Sequence, residues 1–338
     1  FSEEISNQPT TTEVTKVDLT GGQEIEGAKM QILDQDGKVV EEWVSKKEPH
    51  VVYALEPGEY VLHEEQAPTE QGYVRAEDVK FVVEETGDVQ KVKMEDDHTK
   101  VSISKTDITD GKEIEGAKLQ ILDQDGEVVE SWTTGEEHLI EYLPVGTYTL
   151  HEEAAVDGYI VANDVEFTVE ETGEIQKVKM EDERAMGQLV IVKTDADSKA
   201  ALEGVEFVLM EKETGKEVER LKTGKDGKAV SSLLPIGTYE NGTFKEPITY
   251  VLKETAALEG YEKTEEEWEI VFSYQNDKTP VIEVVKEIQN KKIPEAPGTV
   301  KPGPKTGDDT NWFLPLLALG VSAGMVAGLL YYRKRHRK

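Results

Sequence analysis

The chain has 338 residues, no cysteine, and a formal net charge of −32, with 70 acidic against 38 basic residues. The length allows two or three domains, and the lack of cysteine excludes disulfides and thiolate sites. Such acidity argues against binding nucleic acid, whose phosphates attract basic surfaces. The chain begins at Phe1 rather than Met and shows no signal peptide, so we expect a fragment or a mature form.

Internal repeats make up most of the chain. EIEGAKMQILDQDG, at residues 24–37, returns as EIEGAKLQILDQDG at residues 113–126. FVVEETGDVQKVKMED, ending at Asp96, returns as FTVEETGEIQKVKMED, ending at Asp182, and a diverged third copy has LEGVEFVL from Leu202. Copies of about 85 to 105 residues are large enough to be domains. We therefore predict three domains, at residues 12–99, 100–187 and 188–292.

The pattern within each copy is typical of short β-strands. Apolar and polar residues alternate, and turn signals arrive at short intervals, including Asp-Gly at residues 36–37 and 125–126. This pattern predicts an all-β chain of tandem Ig-like β-sandwiches. Asp-x-Asp-Gly also occurs in calcium loops, but the further ligands are lacking at the proper spacing, so hairpin turns are favoured. We expect no metal site and no cofactor.

Three ionisable or amide residues in each copy lie in phase with apolar residues. Lys105, for example, follows Val101 and Ile103 at alternate positions, and alternate residues of a strand share a face. In the third copy the phase is less clean, because Lys286 would share the face of its acceptor. The residues concerned are Lys16, Glu64 and Asp96, then Lys105, Glu152 and Asp182, and finally Lys193, Glu254 and Asn290.

Burying these groups is unfavourable unless they meet. They could lie at exposed strand ends, or they could form buried ion pairs. A third interpretation is covalent. A buried lysine has a lowered pKa and can become a neutral nucleophile, while a buried glutamate can stay protonated and shuttle a proton. Lysine attack on the side-chain carbonyl of the acceptor would form an amide, with loss of water from Asp or of ammonia from Asn.

The three copies resemble Cna B-type domains, the prealbumin-like, SpaA-type folds of Gram-positive surface proteins and pilins. The matching motifs are TKVD, SKTD and VKTD around the lysines, YVLHEEQAPTEQGY, YTLHEEAAVDGY and YVLKETAALEGY around the glutamates, and KMED or IQNKK at the acceptors. Copies two and three lack the proline of the glutamate motif, and copy three has an insertion at residues 240–249. The resemblance implies spontaneous isopeptide bonds Lys16–Asp96, Lys105–Asp182 and Lys193–Asn290, promoted by Glu64, Glu152 and Glu254.

The composition changes after residue 292. Residues 293–310 contain a proline-rich spacer, residues 311–332 are uncharged and mostly apolar, and residues 333–338 are basic or histidine. The apolar stretch is long enough to cross a bilayer, and the basic tail would place the C-terminus in the cytoplasm. We therefore predict a single C-terminal transmembrane helix that holds a precursor in the plasma membrane.

A short motif precedes the apolar stretch, and the whole order resembles an LPxTG-type sortase signal, with Gly303 in place of leucine. The resemblance implies cleavage between Thr306 and Gly307 and transfer of Thr306 to an amine of cell-wall peptidoglycan or of a pilin. The motif residues are Pro304, Lys305, Thr306 and Gly307.

Two functions fit these features. The first is an extracellular, wall-anchored stalk, adhesin-like protein or accessory pilin. A shaft subunit is less favoured, because the sequence contains no persuasive pilin motif with a donor lysine. The alternative is a domain that binds a host protein or glycan, with the insertion at residues 240–249 as its candidate surface, on a simple membrane anchor. We do not expect an enzyme, because no Ser-His-Asp set is found and the six histidines form no cluster.

Overall fold

The computed structural model describes residues 9–294. It confirms the all-β prediction. Over this range the only helix is one turn of 3₁₀-helix, Thr69–Gln71, and the strands form three successive sandwiches, each with a separate apolar core. None of the helical structure in this range has the length and apolar character that crossing a membrane requires.

The first sandwich has two facing sheets. Its strands are β1 (Thr11–Asp18), β2 (Lys29–Leu33), β3 (Val39–Val44), β4 (His50–Tyr53), β5 (Gly58–Gln66), β6 (Val79–Val83) and β7 (Val89–Asp96). One sheet has the order β4-β1-β7 and the other β3-β2-β5-β6. Val14, Met30, Leu62 and Met94 are buried between the sheets, because alternate side chains of each strand point to the same face.

The second sandwich repeats this arrangement. Its strands are β8 (Lys100–Asp107), β9 (Lys118–Leu122), β10 (Val128–Thr133), β11 (His138–Glu141), β12 (Gly146–Ala154), β13 (Tyr159–Ile160), β14 (Val165–Val169) and β15 (Ile175–Arg184). The sheet orders are β11-β8-β15-β13 and β10-β9-β12-β14. The extra strand β13 pairs with the end of β15, so this last strand runs on towards the third sandwich.

The third sandwich keeps the two sheets and adds a hairpin. Its strands are β16 (Met186–Asp195), β17 (Glu206–Glu211), β18 (Glu217–Lys222), β19 (Lys228–Val230), β20 (Leu234–Pro235), β21 (Gly237–Glu240), β22 (Thr243–Pro247), β23 (Thr249–Ala256), β24 (Glu267–Val271) and β25 (Val281–Asn290). One sheet has the order β18-β17-β23-β24, and in the other β16 pairs with β19, β20 and β25. Among the strands of residues 9–294, β21 and β22 pair only with each other.

The Asp-x-Asp-Gly segments form tight turns. The Asp34 carboxylate accepts the N–H groups of Asp36 and Lys38, at 3.0 and 2.9 Å, and Asp123 does the same in the second sandwich. Gly37 has a φ of 78°, which favours glycine. The carboxylate that starts each loop is therefore engaged by its own backbone, as expected of a hairpin turn.

The first and last strands of each sandwich lie side by side and parallel: β1 with β7, β8 with β15, and β16 with β25. The two ends of each repeat therefore meet in one sheet. A bond between these two strands would join the beginning of a domain to its end.

Candidate cross-linking sites

The parallel strand pair places each lysine close to its acceptor. Lys16 lies opposite Met94, and Asp18 lies opposite Asp96. The acceptor is therefore two residues beyond the position opposite the lysine and shares its face. The glutamate comes from β5 in the facing sheet. The other sandwiches repeat the register, with Lys105 opposite Met180 and Lys193 opposite Ile288.

The structure brings the first predicted set together. Lys16 Nζ contacts Asp96 Oδ1 and lies 2.9 Å from Glu64 Oε2. All three residues are at most 2% exposed. The Ala76 N–H donates to Glu64 Oε2 at 2.8 Å, which fixes the orientation of that carboxyl group. The residues are therefore buried and in contact, and do not lie at exposed strand ends.

The second set has the same geometry. Lys105 Nζ contacts Asp182 Oδ1 and lies 2.9 Å from Glu152 Oε2. The Ala162 N–H donates to Glu152 Oε2 at 2.6 Å. Lys105 is one of the largest fully buried side chains in the described part of the chain. Such a lysine is unfavourable unless its amine is paired or neutral.

The third set differs in its acceptor. Lys193 Nζ contacts Asn290 Oδ1 and lies 3.1 Å from Glu254 Oε2. The Asn290 Nδ2 group donates to Glu254 Oε1 at 2.7 Å. Lys286 lies on the same strand as Asn290 and was expected to share its face. It is half-buried, with its Nζ 5.8 Å from the centre of the Trp268 ring. It does not contribute to this site.

Burial changes the proton affinities of the acceptors. It raises the pKa of Asp96 to about 7; the Lys16 ammonium opposes this rise and the Glu64 carboxylate adds to it. Burial likewise raises the pKa of Asp182 to about 7. In the third site burial lowers the pKa of Lys193, against the influence of Glu254. Removal from water disfavours the charged form in each case.

In the described part of the chain, two buried oxygens in each of the first two sites have no hydrogen-bond donor. They are Glu64 Oε1 and Asp96 Oδ2 in the first site, and Glu152 Oε1 and Asp182 Oδ2 in the second. The carboxyl groups of each pair lie within hydrogen-bonding reach of each other. A single proton held between the two carboxyls would satisfy both oxygens. In the third site the Asn290 N–H fills this position.

The sequence analysis missed a tyrosine–aspartate pair beside the second and third sites. The Tyr159 hydroxyl donates to Asp107 Oδ2 at 2.7 Å, and the Tyr261 hydroxyl donates to Asp195 Oδ2 at 2.8 Å. In the first sandwich Asp18 Oδ2 instead accepts the Tyr142 hydroxyl at 2.8 Å, and the Tyr73 ring meets the Tyr142 ring edge-on. The signal was available, because each aspartate ends a TKVD-like motif and each tyrosine ends a glutamate motif. The pair fastens the glutamate loop to the first strand.

The insertion in the third copy packs against the second sandwich. It contributes to the β21–β22 hairpin, whose Tyr239 hydroxyl donates to the Gly158 carbonyl at 2.8 Å. The Arg184 guanidinium lies 4.1 Å from the centre of the Tyr239 ring, a favourable cation–π distance. The ring of Phe244 packs edge-on against Tyr239. These aromatic groups are engaged by a neighbouring domain, which does not favour them as a ligand surface.

Four predicted features lie outside the described residues. They are most of the spacer at residues 293–310, the sortase motif Pro304, Lys305, Thr306 and Gly307, the membrane helix at residues 311–332, and the basic tail at residues 333–338.

The comparison with known families agrees with this geometry. The profile of the SpaA prealbumin-like fold domain matches three segments, at residues 10–98, 99–184 and 187–288. The chain belongs to this family. The family resemblance predicted from the lysine, glutamate and acceptor motifs is therefore confirmed, and so is the prediction of tandem prealbumin-like sandwiches.

Among solved structures, this SpaA-domain chain is similar to the Bacillus anthracis TIE protein, with 28% identity and a TM-score of 0.57. The match covers 84% of this chain and 51% of that one, so the chain spans about half the length of its relative. BcpA, the major pilin subunit of Bacillus cereus, is 16% identical over 85% of this chain and 100% of its own, with a TM-score of 0.48. No curated protein sequence matches the chain significantly.

Proposed function

We propose that the chain is an extracellular, wall-anchored stalk, adhesin-like protein or accessory pilin of a Gram-positive surface, whose three sandwiches are each stapled by an autocatalytic isopeptide bond. The observation that carries this proposal is the threefold recurrence of a buried lysine in contact with an Asp or Asn carbonyl oxygen and a glutamate. A purely structural ion pair could explain one such site, but it explains three sites with the same register less readily.

The proposed chemistry needs only these groups. Within each site the lysine gives a proton to glutamate and becomes a neutral amine. Its Nζ attacks the carbonyl carbon of the acceptor, glutamate returns that proton to the leaving group, and the second proton that Nζ loses on becoming an amide nitrogen remains on glutamate. Asp96 or Asp182 loses water and Asn290 loses ammonia, and an amide remains in each case. Burial and fixed proximity favour the reaction, which uses no metal, cofactor or external substrate.

The proposed bonds suit a protein that must resist pulling. Each would join the first strand of a sandwich to the last, so tension between the domain ends would pass through a covalent link. Lys16 and Asp96 are 80 residues apart. By analogy with a disulfide, a bond between them would reduce the conformational entropy of the unfolded chain and so raise its free energy by about 4 to 5 kcal/mol. Unlike a disulfide it resists reduction, which suits a chain without cysteine.

We further propose that a sortase cuts between Thr306 and Gly307 and joins Thr306 to peptidoglycan or to a pilin amine. The sequence order of motif, apolar stretch and basic tail supports this step. The membrane segment would then hold only the precursor. The similarity in fold to pilin subunits supports a structural role at the cell surface rather than an enzymatic one.

An intact-mass measurement tests the covalent part of the proposal. For residues 9–294 we expect a mass below the sequence mass by two waters and one ammonia. Glu64→Ala should restore one water. Glu65→Ala is the matched control, because Glu65 is the exposed neighbour of Glu64 on the same strand and its loss should leave the mass deficit unchanged. A mass equal to the sequence mass would leave only buried ion pairs.

A further inference from the structure

The loop that ends each of the first two glutamate motifs is held by the sandwich that follows it. In the first junction, the Val145 N–H donates to the Thr69 carbonyl at 3.2 Å, and the N–H of Thr99, directly before β8, donates to the Gly72 carbonyl at 2.8 Å. The Tyr142 hydroxyl donates to Asp18 Oδ2 at 2.8 Å. Tyr142 thus reaches from the second sandwich to Asp18, the last residue of β1 in the first.

Tyr142 fits closely at this place. Its ring stacks on His98 with a centroid distance of 3.9 Å and meets the Tyr73 ring edge-on at 5.6 Å. Its own φ is 61°, a left-handed conformation that is unfavourable for a tyrosine. A Cβ atom on Gly72 would collide with the Tyr142 backbone. The contact therefore depends on complementary shapes in both sandwiches.

The second junction holds the equivalent loop through different residues. The Val161 N–H donates to the Asp277 carbonyl at 2.9 Å, and the Tyr274 hydroxyl donates to the Tyr159 carbonyl at 2.9 Å. Asp277 and Tyr274 belong to the third sandwich. With the Tyr239 bond to Gly158, the third sandwich supplies three hydrogen bonds to one short segment of the second.

The same loops orient the glutamates. Ala76 donates its N–H to Glu64 three residues after Tyr73, and Ala162 donates its N–H to Glu152 three residues after Tyr159. These hydrogen bonds engage Oε2 and so leave Oε1 to face the acceptor carboxyl. The contacts that the following sandwich makes with this loop are therefore connected, through a few residues of chain, to the carboxyl group that would transfer the proton.

The third site lacks both parts of this arrangement. Within residues 9–294, and apart from Gly260 and its two chain neighbours, no atom lies within 4 Å of the position of a Cβ on Gly260, the glycine equivalent to Gly72 and Gly158. No backbone N–H in the described range donates to Glu254, which is held instead by the Asn290 side-chain amide at 2.7 Å. The third site thus has no contact of this kind from a following sandwich, and its acceptor, Asn290, orients the glutamate directly.

We propose that each following sandwich is a positioning element for the bond of the sandwich before it, with Tyr142 as the positioning residue for Lys16–Asp96. Tyr239 and Tyr274 serve Lys105–Asp182 in the same way. The inference rests on the proposed isopeptide function. It implies an order, since the first bond forms rapidly only after the second sandwich has folded and docked, whereas the third bond needs no such partner.

The test follows the three bonds separately in the full 338-residue chain. The chain is made by cell-free synthesis, samples are quenched in denaturant at intervals, and the linear and cross-linked peptides are measured after digestion. Tyr142→Phe removes only the hydroxyl that bonds to Asp18. We expect the Lys16–Asp96 bond to form roughly tenfold to a hundredfold more slowly, as the loss of one hydrogen bond to a charged group implies, while Lys105–Asp182 keeps its rate. Tyr53→Phe is the matched control, because Tyr53 is 70% exposed.

The per-bond readout separates positioning from a general effect on folding. A tyrosine that only stabilised its own sandwich would slow Lys105–Asp182, so that result overturns the proposal, as does an unchanged rate for Lys16–Asp96. Tyr274→Phe provides a second test, with slowing expected only at Lys105–Asp182. A wild-type chain without any cross-linked peptide would contradict the isopeptide function itself, whereas wild-type bonds with unaffected variants would contradict only the role of the junctions.

Discussion

Asn290 donates its side-chain N–H to Glu254 at 2.7 Å, where the first two sandwiches place a second carboxyl group against the glutamate. An amide needs no extra proton to make this hydrogen bond, whereas a pair of carboxyls needs one. The lysine therefore has the same geometry in all three sites, but the two sites with an aspartate need a proton between the carboxyl groups and the site with Asn290 does not. The difference can be used to separate the sites experimentally.

Asn290→Asp should change the leaving group without changing the product. The variant would lose water instead of ammonia, and the same amide would remain. We therefore expect its cross-linked mass to equal that of the wild-type chain, although the unreacted sequences differ. A mass one water higher would show that the third site depends on the asparagine amide and would contradict the shared mechanism.

The pH dependence of bond formation should distinguish the sites. Burial raises the pKa of Asp96 and of Asp182 to about 7. Below that pH the acceptor is a neutral acid that lysine can attack, and above it the acceptor becomes an unreactive carboxylate. We expect the rates of the first two bonds to fall as the pH rises through about 7, and the rate of Lys193–Asn290 to fall much less. Peptide mapping of quenched samples measures all three, and equal profiles would contradict this assignment.

Much of the fold could be predicted, because the repeats indicate the number of domains and the alternation of apolar and polar residues indicates which side chains face the core. Lys105 follows Val101 and Ile103 on one face, and the structure buries all three. The roles of Tyr142 and Tyr239 could not be predicted. Tyr142 stands where the first copy has Ala54, and Tyr239 directly precedes the insertion at residues 240–249. Their contacts join residues more than 80 positions apart, at separations of 124 and 81. Alternation predicts the face of a side chain within its own domain but not its contacts with the next.

The Lys105–Asp182 bond should contribute strongly to the stability of the second sandwich. It would close a chain separation of 77 residues, which by the disulfide analogy corresponds to about 4 kcal/mol. Glu152→Ala should prevent the bond and lower the urea midpoint of that sandwich, whereas Glu153→Ala, at the exposed next position, should not. Intact mass must show one restored water in the first variant only. Similar midpoints for both variants would indicate that packing alone stabilises the domain.

Gly158→Ala should weaken the junction between the second and third sandwiches. The Cβ would lie 2.7 Å from Phe244 Cδ2 and 2.9 Å from the Tyr239 hydroxyl, and the φ of +88° adds strain. Gly260→Ala is the matched control, because its φ of +83° carries the same strain, but among residues 9–294 nothing beyond its chain neighbours lies within 4 Å of the added Cβ. Left-handed backbone at a non-glycine residue costs about 1 to 2 kcal/mol in either variant. We therefore expect both variants to lose some stability, but only Gly158→Ala to broaden the distribution of interdomain distances, as measured by spin labels on the second and third sandwiches. If the two variants gave the same distribution, the hairpin would not be holding the two domains together.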